Sequence, residues 1–253
     1  MDYLFFITIL TLVSGFFGGF FLLIEWLKHR QQHTFIFVWS IALFLLNWFQ
    51  IPSVLAQIGL KITYTDFNVL FLWSTQFNFL AYLLIYFGIR SFSCNPIKKI
   101  STYVLLGAWF VAGLAYYSLL YSGGRVPQSP WELVSGLLFF FIPSHVLILT
   151  FLFGKCFKKT SNLSGRSRLG IRLLILASVM ALFRFFFVIY SATIYPPASI
   201  LPLARAHSFY INTQTFGVLA LVVGFFLLHK EMVVEKRGNN ADTLLSGEST
   251  ITK

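Results

Sequence analysis

Lys155–Tyr195 reads KCFKKTSNLSGRSRLGIRLLILASVMALFRFFFVIYSATIY. Its first half carries six basic residues: Lys155, Lys158, Lys159, Arg166, Arg168 and Arg172. Its second half is an apolar run interrupted by a single charge, Arg184. Roughly 20 apolar residues suffice to cross the hydrocarbon of a bilayer. A basic loop followed by such a run is how a membrane chain marks its cytoplasmic side.

The whole chain follows this pattern. It has 253 residues, of which 57% are hydrophobic and 11% charged, and 31 are Phe. A soluble domain carries about 25% charged residues. The mean hydropathy of +0.78 is too high for one aqueous core, so lipid is the expected solvent for most of the chain. The net charge of +11 would suggest nucleic acid in a soluble protein. Here the basic residues lie between apolar runs, where they orient the chain and meet anionic headgroups first. No nucleic-acid partner is expected.

Seven segments qualify as spans: about 3–27, 34–60, 67–90, 101–122, 131–153, 170–195 and 204–229. Alternate connections differ sharply in charge. The loops after the first, third and fifth spans, with the tail, hold fifteen Lys and Arg. The other loops hold Lys61, Arg125 and Arg205. By the positive-inside rule the N-terminus is outside and the C-terminus cytoplasmic. The expected architecture is all-α: a polytopic, seven-transmembrane-helix bundle in a plasma membrane of the bacterial inner-membrane type. Residues 230–253 form a cytoplasmic tail, polar and without periodicity from Gly238 on, and read as largely disordered. The first segment has no basic n-region and no small-residue cleavage site, so it is expected to be a retained helix. Cys94 and Cys156 fall in loops on the reducing side, where no disulfide is expected.

Polar residues inside a membrane need partners and are the best pointers to function. Asn47 and Gln50 lie on one face of span 2, and Gln76 and Asn78 lie in span 3. Span 5 offers Pro143, Ser144 and His145, and span 7 offers Asn212 and Gln214. Pro52 and Pro143 each free a backbone carbonyl and bend their helices. Arg184 is the sharpest signal. An Arg at the centre of a span costs roughly 2.5–3.5 kcal/mol on insertion scales. None of the eight acids, Asp2, Glu25, Asp66, Glu132, Glu231, Glu235, Asp242 and Glu248, falls at its depth. Three readings follow. Arg184 bonds to Asn, Gln or Tyr side chains and freed carbonyls and stacks on Phe183, Phe185 or Phe186; or it anchors an anionic ligand; or it snorkels to an interface. The candidate ligand-binding set is Arg184, Asn47, Gln50, Gln76, Asn78, Gln214 and His145. Glu25, one turn from the inner boundary, is expected to pair with Lys28 or Arg90.

No catalytic set, metal set or cofactor is expected. Span 7 has no Lys for a retinal Schiff base. His145 and His207 lie far apart along the membrane normal, which argues against a bis-His haem. His29 and His33 have i,i+4 spacing but no carboxylate or thiol beside them, so a solvated basic loop is the better reading. Ser144 and His145 point about 100° apart on a helix and make no dyad. Gly15 and Gly19 form a small-xxx-small face that packs helices closely, within the bundle or in a homodimer.

Phe35–Leu55 (FIFVWSIALFLLNWFQIPSVL) and Phe79–Phe92 (FLAYLLIYFGIRSF) resemble the N-terminal seven-helix sensor regions of bacterial histidine kinases and related membrane-associated sensor modules. The likeness lies in a Trp-rich span 2 and a Tyr-x-x-Gly-x-Arg step before a basic loop. It implies a sensory bundle that signals through a cytoplasmic partner at the basic inner face, since no kinase or cyclase segment follows span 7. The seven-span sugar transporters share topology and size, but their proline-rich motifs are absent here. Two further readings stand behind the sensor. One is a small-solute transporter of two parallel three-helix halves, for which Ala42-Leu43-Phe44 against Ala181-Leu182-Phe183 and Thr75-Gln76 against Thr213-Gln214 hint at a repeat. The other is a non-catalytic subunit of a membrane complex. An intramembrane enzyme comes last, with no nucleophile–base pair visible.

Overall fold

The computed structural model describes residues 3–28, 34–48, 51, 54, 77, 80–89, 100–120, 129–136, 138–139, 142–143, 146, 148–150, 165–196 and 207–247. Among them the regular structure is entirely helical. In chain order the helices are α1 (Tyr3–Lys28), α2 (Thr34–Trp48), α3 (Leu80–Ile89), α4 (Ile100–Leu120), α5 (Pro130–Gly136), α6 (Gly165–Ser191) and α7 (Ser208–Gly247). Among the described residues, three stretches are long and apolar enough to cross a membrane: α1, α6 and Ser208–His229 of α7. Thr34–Trp48, Leu80–Ile89 and Gly107–Tyr116 are shorter apolar helices.

α1 shows why these sequences pack as they do. Its buried residues are Thr8, Thr11, Gly15, Gly18, Gly19 and Leu22. Its opposite face exposes Phe6, Val13, Phe17, Phe20 and Ile24. Small residues point inward and large apolar ones outward, the reverse of a soluble helix. In hydrocarbon a Phe gains nothing by leaving the lipid, so contact goes to faces where backbones approach closely. A Cβ on Gly18 would lie 2.8 Å from Val222 of α7. One on Gly19 would lie 3.0 Å from the Phe44 ring of α2, and one on Gly15 would collide with the Asn47 amide. The Gly15–Gly19 face is therefore occupied by α2 inside the bundle. It is not free to join two copies of the chain.

α1 and α7 run parallel at constant register. Thr11 meets Thr215, Gly18 meets Val222, and Glu25 meets His229. Seven residues separate successive contacts on each helix, the spacing of a left-handed heptad seam. α2 runs antiparallel to α1, and Ser40 donates to the Gly19 carbonyl at 2.8 Å. α6 runs antiparallel to α7, with Gly170 against Gly224 and Leu228. Trp39 of α2 stacks on Phe225 of α7 at 4.4 Å and 14° and lies over Gly88 of α3, tying three helices together. α4 bonds to α5, where the Tyr116 hydroxyl donates to the Glu132 carbonyl and meets Ser135 Oγ at 2.6 Å.

The last helix, α7, runs past its apolar stretch, which ends at His229, to Gly247. Extending an existing helix avoids the costly first turn, and no Pro intervenes to stop it. Cys94, Cys156, Pro52, His29 and His33 lie outside the described residues.

Candidate functional site

Several hydroxyl side chains in the core bond to their own helix. Thr8, Thr11, Thr213, Thr215 and Ser191 each donate to a carbonyl one turn back on their own helix. This is the cheapest route for a hydroxyl in hydrocarbon, because the partner needs no tertiary contact. Thr11 and Thr215 also meet across the α1–α7 seam at 2.5 Å.

Arg184 does not follow this rule. It is 3% exposed, on the α6 face that packs against α7. Its Nη2 donates to the Tyr82 hydroxyl of α3 at 2.9 Å. Its guanidinium carbon lies 5.9 Å from the centre of the Tyr210 ring of α7, within cation–π range. Its Nε is buried and has no hydrogen-bond partner. Among the described residues no carboxylate pairs with it; the acid Glu25 bonds instead to Lys28 and His229. The first of the three sequence readings is thus met in part: Arg184 bonds to a Tyr. Its aromatic partner is Tyr210, while Phe183 and Phe186 are exposed beside it.

The α6–α7 contacts place this group. Gly217 faces Ala177 and Met180, and the Phe187 ring lies 4.9 Å from that of His207. By that register Arg184 faces the 210–214 turn. Gln214 is on this turn, 6% exposed, with its amide nitrogen buried and without a hydrogen-bond partner. Tyr3 of α1 reaches the same level and donates to Asn212 at 3.2 Å. Two unpartnered donors, one charged and one neutral, thus sit on facing turns of adjacent helices. Buried polar groups are satisfied in all but a few per cent of cases, and one left unsatisfied costs about 1–3 kcal/mol.

Asn47 belongs elsewhere. It faces Gly15, four residues along α1 from the Thr11–Thr215 contact. That sets it about 10 Å from the level of Arg184 at 1.5 Å per residue. Its Nδ2 donates to the Leu43 carbonyl at 2.6 Å, and its Oδ1 is buried without a partner. It fills the α1–α2 contact rather than joining Arg184. Of the expected set, Arg184 and Gln214 fall on facing turns of α6 and α7 by this register. Gln50, Gln76, Asn78 and His145 lie outside the described residues.

Tyr82 and Tyr210 belong to the site and were not foreseen from sequence. A Tyr in an apolar run has the same signature whether it lines a site or anchors at an interface. The helical register offered one available signal: Tyr210 precedes Gln214 by one turn and so shares its face.

A second polar cluster closes the other end of the seam. Glu25 bonds to Lys28 at 2.8 Å and to His229 at 3.2 Å. The Lys28 pairing is as expected, and His229 is the added partner. No group of three or more His, Cys, Asp or Glu able to hold a metal occurs among the described residues.

Against known proteins, no family model, no curated protein and no solved structure matches this chain.

Proposed function

We propose that the chain is a seven-span plasma-membrane protein, N-terminus outside and C-terminus cytoplasmic, acting as a receptor-like sensory bundle for a small or lipidic anionic ligand. The charge asymmetry of the loops supports the topology. So do the helix directions: parallel for α1 and α7, antiparallel for α1 with α2 and α6 with α7. A seven-span chain that alternates direction requires those relations.

The observation that carries the function is the buried Arg184 with a donor to spare and no carboxylate beside it among the described residues. A buried cation is retained at a cost, and an intramembrane ionisable group marks a ligand or ion site by default. The site's second wall is α7, which runs on past its apolar stretch to Gly247. Occupancy at Arg184 would alter how α6 and α3 hold α7, and the same helix extends toward a partner at the basic cytoplasmic face. A ligand shifts such an equilibrium only by its differential affinity for the two arrangements.

Thermal-shift screening of the purified protein in a neutral detergent against anionic metabolites and lipids tests this. At least one anion should raise the melting temperature of the wild type and not of Arg184→Ala. If Arg184→Ala leaves every ligand's effect unchanged, the site is not a receptor site.

A further inference from the structure

We infer that the Arg184 centre takes a monocarboxylate with an apolar body. This rests on the reading that Arg184 binds an anion, and it specifies which one.

Charge comes first. The described groups of the centre are one guanidinium, the phenols of Tyr82 and Tyr210, and the neutral amide of Gln214. Its formal charge is a single positive one. A carboxylate cancels it. A phosphate monoester, at about −1.5 to −2, leaves surplus negative charge in a low dielectric, where uncompensated charge is most costly.

Geometry comes second. Nε and Nη2 form one edge of the guanidinium plane, and each has a hydrogen on that edge. Nη2 has two hydrogens, so it can serve the Tyr82 hydroxyl and still contribute to the edge. Nε is buried without a hydrogen-bond partner, so the donor on this edge is unsatisfied. Two parallel N–H groups match the two oxygens of a carboxylate side-on, a fork that a single-centred halide cannot fill. The Gln214 amide, on the facing turn, supplies a further donor for a remaining lone pair.

The surroundings come third. Phe185, Val188 and Ile211 are buried on the same turns of α6 and α7. Phe183 and Phe186, flanking Arg184, are 51% and 53% exposed on a helix apolar enough to span a bilayer. With Arg184 closed to water, the rest of the ligand meets hydrocarbon, and a body of alkyl or aryl character meets it without loss.

The test uses the full-length protein in a maltoside detergent, with dodecanoate, dodecyl phosphate, dodecanol, acetate and chloride as probes. Dodecanoate should raise the melting temperature saturably, and Arg184→Gln should weaken its half-saturation about thirtyfold, as for a lost charge-assisted pair. Gln214→Leu, which keeps the cation, should weaken it by a smaller factor and guards against misfolding of the Arg184 variant. Dodecanol and acetate should each fall well short. Dodecyl phosphate equalling or exceeding dodecanoate, with Arg184 dependence, overturns the carboxylate assignment and leaves anion binding standing. Chloride or acetate matching dodecanoate overturns the apolar body. No probe acting through Arg184 overturns the assignment, and the broader anion screen then decides the reading beneath it.

Discussion

The two ends of the apolar stretch of α7 hold two polar clusters with opposite solutions to one problem. At the far end of the apolar stretch, His229 is 5% exposed and meets Glu25, which is 17% exposed and also holds Lys28. Glu25 pairs with Lys28 at 2.8 Å and meets His229 at 3.2 Å. At the near end, Arg184 is as deeply buried and among the described residues has neutral partners, Tyr82 and Tyr210. A paired cluster holds helices together, and removing one partner strands the other. A buried cation without a counter-charge weakens the fold and, on the function proposed above, is completed by an anionic ligand. The same seam, α1 against α7, connects both, with Gly18–Val222 midway between Thr11–Thr215 and Glu25–His229.

The strongest way to break the comparison is to separate the helices that carry it. Gly18→Leu forces a branched side chain into the Val222 contact. Overpacking of this kind costs typically 1–3 kcal/mol and sometimes more. We expect about 3 kcal/mol, seen as a loss of stability in an SDS titration of the refolded protein; an unchanged midpoint would mean the seam is looser than the contact implies. Next comes Arg184→Met. It removes the insertion cost of roughly 2.5–3.5 kcal/mol while leaving Tyr82 short of a donor. The unliganded variant should therefore be more stable than wild type by about 2 kcal/mol. A destabilised variant would show that neutral partners compensate Arg184 fully. The smallest effect is at the paired end. Glu25→Gln keeps the shape and removes the charge that Lys28 and His229 share, one of them exposed. Because exposed pairs are worth about 0–1 kcal/mol, a loss of about 1 kcal/mol is expected, shrinking in high salt. A loss as large as that of Gly18→Leu would make the cluster a principal clamp.

Much was legible in the chain itself. Apolar runs and basic loops announce membrane-spanning helices because hydrocarbon leaves a backbone no partner but its own. Arg184 stood out for the same reason: one charge in an apolar run is visible without knowing its neighbours. That no acid falls at its depth was an expectation equally readable from the positions of the eight acids, and among the described residues no carboxylate pairs with it. The Glu25–Lys28 pair, three residues apart, is local and was readable too.

Contacts across the fold were not readable. Glu25 and His229, like Thr11 and Thr215, are 204 residues apart, and only the α1–α7 register joins them. Asn47 and Arg184 seemed to share one polar layer because both lie in apolar runs. The packing of Asn47 on Gly15 set them about 10 Å apart along the seam, at 1.5 Å per residue. A sequence places a polar group along its own helix, because the rise per residue is constant. Which face meets which neighbour, and at what height, depends on where small residues let two backbones approach. That choice by Gly15, Gly18, Gly19, Gly88, Gly170 and Gly224 was made only in the tertiary structure.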